Sequence, residues 1–369
     1  MTIALLRITN FRNLEAVDLV PCHAGLNVIC GNNGSGKTSL LEAIYCLGLG
    51  RSFRTSTGAR LIRQEADKFS IFSHIVSEMQ RQVPVGIERD IHGTTRLRVA
   101  ERDASGIMEL AAYLPIRLIN SQSHNLFESG PAFRRKFLDW GLFYQSDSFI
   151  TCWRQFERVI KQRNVLLRDR RPRSELDAWS DELARHAMVL DELRRRYVNH
   201  LMPLVSELAQ ELLAMSTLAF AYQPGWREDR DYLEILKEGY LEEIRAGHTL
   251  HGPHRADLDI TIDGIPVKHF LSRGQQKLLI CAMIIAQGKL LAEQANKSII
   301  YLVDDLPAEL DLPSRQKLIT LLSRQHTQIF VTAIERETIE TIMGDRLAVP
   351  IKVFHVKHGS VTDLTMSQS

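Results

Sequence analysis

This chain has little that suits a membrane, an oxidising compartment or a metal framework. Its five cysteines (Cys22, Cys30, Cys46, Cys152 and Cys281) are odd in number, scattered and never spaced as C-x-x-C. That excludes a disulfide framework or a zinc site of the usual spacing and suits a reducing cytoplasm. The longest apolar run, Leu278 to Ala286, is too short to cross a bilayer, so no membrane role is expected. Arg7 and Arg12 interrupt the early apolar residues and Thr9-Asn10 is polar, so the opening stretch does not read as a secretory leader. Charge of either sign is not in excess: 46 Lys and Arg against 44 Asp and Glu leave a formal net charge of +2. Any contact with nucleic acid must therefore come from a local basic surface. There is no internal repeat or low-complexity segment, and 369 residues suffice for about two or three domains with real cores.

What the chain does have is a complete G-x-x-x-x-G-K-[ST] phosphate-binding loop, Gly31-Asn32-Asn33-Gly34-Ser35-Gly36-Lys37-Thr38. Leu26 to Cys30 reads as a short buried strand before it, and Ser39 to Ile44 carries apolar residues at helical spacing after it. That context gives the motif its chemistry. Glycines let backbone N–H groups wrap a phosphate, a helix N-terminus adds a positive dipole end, Lys37 reaches the β- and γ-phosphates, and the Thr38 hydroxyl ligates Mg²⁺.

Around this loop, Ile3 to Ile8 and Leu14 to Val20 read as paired strands, with Asn10-Phe11-Arg12-Asn13 between them. Arg12 is there either as a phosphate contact or as a solvated loop residue, and spacing alone does not choose. Gly50 to Thr55 is a polar, basic connection. Phe69 to Val76, Gln82 to Arg89 and Thr94 to Ala100 read as an antiparallel meander with a turn at His92-Gly93. From Gly130 to about Gly247 the pattern becomes helical. Stripes through Phe156, Val159, Ile160, Arg163 and Leu166-Leu167, then through Leu176, Trp179, Leu183, Met188, Leu190 and Leu193, flank a break at Pro172. The expectation is an antiparallel helical hairpin whose tip carries Arg168, Arg170, Arg171 and Arg173.

Two further motifs follow. Ser298 to Asp305 is an apolar strand ending in two carboxylates, the pattern of a Walker B element: Asp304 is expected to hold the Mg²⁺ shell and Asp305 to orient the attacking water. Separated from it by one helix, read over Leu278 to Leu291, Leu271-Ser272-Arg273-Gly274-Gln275-Gln276-Lys277 resembles the L-S-G-G-Q signature of ABC-type ATPases, with Arg273 replacing the first glycine. Ser272 offers a hydroxyl and Gly274 exposes backbone N–H at a helix start, a second anion-binding terminus.

Taken together, the chain resembles the RecF family of DNA replication and repair proteins, within the SMC/Rad50-like ABC ATPases. The resemblance runs nearly end to end. Beside the motifs above it rests on Ile8 to Asn13, Gly50 to Thr55, Ser129 to Trp140 with its Arg134-Arg135-Lys136-Phe137-Leu138-Asp139, His251 to Leu258, and Asp304-Asp305 through Glu309-Leu310-Asp311. It implies an α/β ABC-type head with a mixed sheet and an antiparallel meander, plus an inserted helical lobe. The expected division is residues 1–125 with Walker A, 126–248 as the helical lobe with its hairpin arm, and 249–369 with signature and Walker B completing the head.

The resemblance further implies an ATP-dependent homodimer in which Ser272, Arg273, Gly274 and Gln275 of one subunit close over the ATP held by Gly31 to Thr38 of the other. It implies slow, DNA-dependent ATP hydrolysis with Lys37 and Asp305 as the catalytic pair, ATP and Mg²⁺ as cofactors, and Thr38 and Asp304 at the metal. Double-stranded DNA and RecR- and RecO-type mediators are the implied partners, in the cytoplasm. Arg134-Arg135-Lys136, the hairpin tip and Arg194-Arg195-Arg196 are the cations available to DNA phosphates. Thr332 stands where ABC ATPases carry a switch histidine, Gln122 stands for the Mg²⁺-sensing glutamine, and Leu306-Pro307 is bulkier than usual before the dimer-facing Glu309-Leu310-Asp311. A transporter-type ABC subunit would place its signature closer to the phosphate loop and lack the basic hairpin. A long coiled-coil nuclease partner would need heptads and a C-x-x-C hook. An ATP-gated DNA scaffold without turnover would carry the same motifs.

Overall fold

The computed structural model describes residues 1–77, 80–215, 217–305, 310–333 and 349–364. They form two compact units, Met1–Ser123 with Lys277–Ser369, and His124–Gln276.

The first unit opens with β1 (Thr2–Phe11), β2 (Leu14–Leu19), β3 (Gly25–Cys30) and α1 (Lys37–Leu49), then β4 (Lys68–Val76), β5 (Gln82–Asp90), β6 (Thr95–Val99) and β7 (Arg102–Asp103), and reaches α2 (Ile107–Ala111) and β8 (Ile116–Ile119). The second unit contains α3 (Asn125–Glu128), α4 (Pro131–Gln145), α5 (Asp147–Arg168), α6 (Arg173–Leu213), β9 (Leu218–Gln223), α7 (Tyr232–Glu238), α8 (Tyr240–Ala246), β10 (Asp257–Ile262), β11 (Ile265–Pro266) and α9 (Val267–Phe270). Next come α10 (Arg273–Ala295), β12 (Ile300–Val303), α11 (Leu312–Ser323), β13 (Gln328–Ala333), β14 (Ile351–Lys357) and β15 (Ser360–Asp363).

Two sheets build the first unit. One is antiparallel, ordered β2-β1-β4-β5-β6-β7. In β4, Phe69, Ile71, Ser73 and Ile75 point inward and their neighbours outward, the alternation expected of a sheet with one buried face. The other sheet is ordered β15-β14-β3-β13-β12-β8, parallel throughout except for the edge strand β15. Its central strands β3, β12 and β13 are buried at every position, as parallel strands covered on both faces must be. α1 packs Leu40, Leu41, Ile44 and Leu47 into one core with Ile8, Phe11, Phe69 and Ile71 of the antiparallel sheet and Leu302 and Phe330 of the parallel one.

Two polar residues in these strands are satisfied by design. The Asn27 amide accepts from the Cys22 N–H at 2.7 Å and donates to the Cys22 and Ile329 carbonyls. Gln328 likewise accepts from Ile3 N–H and donates to Ile3 and Cys22 carbonyls. Each ties the start of the chain to the sheet by bonds whose loss would leave a buried polar group unpaired.

The helical hairpin is α5 and α6, joined through residues 169–172. Arg163 of α5 reaches Ser180 of α6, and Cys152 reaches the His186 carbonyl, so sequence positions run in opposite directions along the pair. α6 has 41 residues and the expected break does fall at Pro172, which precedes its first residue. Near the hairpin tip the fully buried Arg163 donates to Ser180, to Thr249 Oγ1 at 2.8 Å and to Glu243 Oε2 at 2.6 Å.

Two expectations are corrected. Residues 249–276, expected with the ATPase head, cluster with the second unit, because β10 pairs antiparallel with β9 across six positions to make a three-stranded sheet there. The helix expected over Leu278 to Leu291 is also longer, running Arg273–Ala295 as α10, whose length and composition would suffice to cross a membrane. Of its most apolar 18 residues 72% are buried inside the protein, the situation of a core helix.

Candidate functional site

Parallel strands gather their carboxyl ends on one side of a sheet, and that is where a ligand finds loops and helix N-termini. β3 delivers the loop Gly31 to Gly36 there, β12 delivers Asp304 and Asp305, and β13 delivers Thr332. The cavity between them is about 650 Å³. Its walls include Asn33, Gly34, Lys37 and Thr38, both acids, Thr332, and the arginines Arg12, Arg54 and Arg60.

The loop backbone is one only glycine accommodates. Gly34 and Gly36 sit at φ 79° and 122°, and a Cβ on Gly31 (φ 146°) would meet the Val356 carbonyl. Gly36 precedes α1, and no side chain caps that helix. The amide groups of its first turn are thus available to an anion. Ser35 Oγ is buried without a hydrogen-bond partner among the described residues. The Lys37 ammonium donates to the Gly31 carbonyl at 2.5 Å and the Asn32 carbonyl at 3.0 Å. Burial lowers its pKa, and the nearby Asp304 and Asp305 oppose that shift. Asn13 braces the loop from outside by donating to the Gly34 carbonyl.

Asp304 is the hub of the acidic side. Its Oδ1 accepts from Thr38 Oγ1 at 3.1 Å and from Thr332 Oγ1 at 3.0 Å, while Thr332 Oγ1 accepts from the Asp305 N–H at 2.9 Å. Burial raises the Asp304 pKa, the two hydroxyl bonds lower it, Asp305 raises it and Arg54 lowers it. Asp305 is exposed and takes a left-handed backbone at φ 54°, rarely seen for a residue with a side chain.

Ser272, Arg273, Gly274 and Gln275 lie in the second unit, at the head of α10. The Gln275 N–H donates to Ser272 Oγ at 3.3 Å and the Ser272 N–H donates to Gln275 Oε1 at 3.0 Å, a reciprocal cap. Ser272, Arg273 and Gln275 are exposed.

Other expected positions fare unevenly. Ser121, not Gln122, lines the cavity, and Gln122 is an exposed residue whose N–H donates to Asn120 Oδ1. Thr332 has its hydroxyl committed to the Walker B turn. Asp311, expected to face a dimer partner, accepts the Ser314 N–H as the N-cap of α11, and Leu310 is buried. Leu306, Pro307 and Glu309 lie outside the described residues.

The expected DNA-binding cations divide in the same way. Arg194 is buried in a two-pronged pair with Asp139 at 2.9 and 3.0 Å, and Arg134 makes another with Asp257 at 2.6 and 2.9 Å. Arg135 donates to the Ala256 carbonyl, Arg195 to Asp191 and Glu228, and Arg196 to Glu192. Arg168, Arg170, Arg171 and Arg173 at the hairpin tip are exposed, Arg171 and Arg173 beside Glu175 and Asp177 at 3.9 and 3.8 Å, and Arg158 on α5 and Lys136 on α4 are exposed too. Sequence reasoning missed Glu42, which is buried behind the loop and holds Arg12. Its place one helical turn after Thr38 was the available signal.

A phosphate loop beside a Walker B acid, on a parallel sheet that shares its core with an antiparallel one, defines the head of an ABC-type ATPase. The model of the RecF/RecN/SMC N-terminal domain matches residues 2–362. Relatives named DNA replication and repair protein RecF are 41% identical in Shewanella loihica, over 98% of this chain and 99% of that one, and 40% identical in Cellvibrio japonicus, over 98% and 99%. The chain belongs to the RecF family. Among solved structures, that of the recombination mediator protein RecF with ATP superposes with a TM-score of 0.85 at 23% identity, covering 98% of this chain and 97% of that one. An Smc head bound to the C-terminal winged-helix domain of ScpA gives 0.63 at 15% identity, covering 99% and 98%.

Proposed function

We propose that this chain is an ATP-dependent DNA-binding repair protein that dimerises around ATP, binds double-stranded DNA near gaps or junctions and helps load a recombinase on single-stranded DNA. It hydrolyses ATP slowly in a DNA-dependent way and works in the cytoplasm with RecR- and RecO-type mediators. The observation that carries the reading is the convergence of Lys37, Thr38, Asp304 and Asp305 on one cavity in front of an uncapped helix. Membership of a family whose members are named DNA replication and repair proteins supports the biological setting.

In this reading the loop amides from Asn33 to Thr38 receive the β- and γ-phosphates, and Lys37 swings from the Gly31 and Asn32 carbonyls onto them. Thr38 Oγ1 and Asp304, already adjacent, fit Mg²⁺, which when bound offsets phosphate charge. Asp305 orients the attacking water. The exposed Ser272 and Gly274 N–H of one copy complete the phosphate shell of another, and the tip arginines follow the DNA backbone without reading its sequence.

Sedimentation with and without ATP, and with and without duplex DNA, tests the reading. ATP should convert monomer to dimer, and duplex should co-sediment with the dimer. Ser272→Arg should spare ATP binding and abolish dimerisation. A Ser272→Arg variant that still dimerises with ATP overturns the sandwich.

A further inference from the structure

The cavity at the loop is ringed by cations that the phosphate-binding motif does not account for. Arg12 comes from the turn between β1 and β2, and Arg54 from the connection after α1. Guanidinium groups on turns are ordinarily mobile, and a mobile cation loses rotamer freedom when it grips a ligand. Here both arginines are tied to one acid. Glu42 is fully buried in α1, one turn beyond Thr38, and is not among the residues that line the cavity.

Both oxygens of that carboxylate are engaged. Arg12 approaches two-pronged, Nε to Oε2 at 3.0 Å and the second terminal nitrogen to Oε1 at 2.7 Å, and its remaining nitrogen donates to the Arg60 carbonyl. Ser52 Oγ donates to Oε1 and accepts from the N–H groups of Arg54 and Thr55 at 2.8 and 3.0 Å. Arg54 itself stands 3.6 Å from Oε2 with its side chain half exposed. Arg12 has a left-handed backbone at φ 56°, and its N–H donates to the Leu61 carbonyl, so its Cα is fixed as well. One carboxylate therefore sets the direction of Arg12 directly and the turn that carries Arg54 through a serine hydroxyl.

We propose that Glu42 is a positioning residue for the nucleotide: it holds Arg12 and Arg54 at the mouth of the loop so that both meet the phosphate chain without prior reordering. The inference rests on the ATP-binding reading of the cavity. Because Glu42 is rooted in the helix whose first turn carries Lys37 and Thr38, the two arginines keep their register with the loop. A two-pronged arginine pair specifies geometry as well as charge, which a lysine in either place would not.

The test is a double-mutant cycle on the full chain, read as affinity for a fluorescent ATP analogue, with thermal unfolding measured on each variant. Glu42→Gln keeps the shape and removes the charge, and should weaken binding at least ten-fold. In an Arg12→Ala/Arg54→Ala background the same change should alter binding less than two-fold, since the groups it positions are gone. Binding by Glu42→Gln within two-fold of the wild type, or a ten-fold loss that persists in the arginine-free background, overturns the proposal: the pair is then only a structural ion pair. Should Glu42→Gln not fold, Ser52→Ala removes the hydroxyl that joins Glu42 to the turn carrying Arg54 and leaves the Arg12 pair in place. It should weaken binding about three-fold, an effect that vanishes on Arg54→Ala, and unchanged binding overturns the proposal. A wild-type chain that binds no nucleotide overturns the ATP reading itself, an outcome distinct from binding that ignores Glu42.

Discussion

The Thr38 hydroxyl donates to Oδ1 of Asp304 at 3.1 Å, across 266 residues of sequence. The bond links the first turn of the loop helix to the end of a strand two places away in the sheet, and Thr332, on the strand between them, donates to the same oxygen. The middle strand thus sets the acid's orientation while the outer one supplies it.

Thr332→Val should therefore be more costly than its surface suggests. It removes one donor to Asp304 and the acceptor of the Asp305 N–H, about 1–2 kcal/mol of stability. With the acid free to rotate, ATP turnover should fall at least ten-fold while ATP binding changes little. Phosphate release alongside denaturant unfolding checks both, and unchanged turnover would show that the threonine is only structural.

Lys37→Arg should retain nucleotide binding and lose hydrolysis. A planar fork cannot occupy the compact place of an ammonium that sits 2.5 and 3.0 Å from two loop carbonyls. Equilibrium binding and single-turnover hydrolysis separate the two effects.

On the helical lobe, two sets of arginines should behave oppositely. Replacing Arg168, Arg170 and Arg171 with alanine should leave the unfolding midpoint near the wild type, weaken duplex binding in the presence of ATP, and flatten the salt dependence of log K by up to about 3. Arg194→Ala should instead cost about 3 kcal/mol of stability, because Asp139 is left without its two-pronged partner. Duplex titrations at several salt concentrations, with melting curves, distinguish the sets.

His254 makes stability depend on pH. Its Nε2 lies 3.1 Å from the Thr249 carbonyl, and its buried Nδ1 has no partner among the described residues. Burial lowers its pKa to about 4, with the neighbouring Arg255, Arg135 and His248 adding to the shift. The folded state therefore binds fewer protons than the unfolded one between about pH 4 and 6.5, so stability falls as pH drops through that window. The loss attributable to this residue is about 2 kcal/mol at pH 5 relative to pH 7.5. His254→Gln should shrink that pH dependence in parallel unfolding curves, and an identical dependence would exclude the histidine as its source.

The elements nearest the site were the most legible. The strand, loop and helix from Leu26 to Ile44 announce themselves because glycines, lysine, threonine and flanking apolar residues act within a single turn of chain. The hairpin break at Pro172 is equally local. The apolar residues from Leu278 to Leu291 gave the core of α10 but not its ends, since the polar residues Arg273 to Lys277 and Glu293-Gln294 flank that stretch within a helix that runs from Arg273 to Ala295. The boundary at residue 249 was misplaced because pairing of β10 with β9 depends on strands far apart in sequence.

The order of residues by itself determined the phosphate loop, the Walker B acids, the signature turn and the family. Those features are set by backbone geometry over a few neighbouring positions. Only the folded chain decided which charges are spent and which remain: Arg134 meets Asp257 across 123 residues, Arg194 meets Asp139 across 55, and Arg12 meets Glu42 across 30. A charge is free or committed according to what lies within a few ångströms of it, and that neighbourhood is assembled by packing between distant segments, which no local spacing encodes.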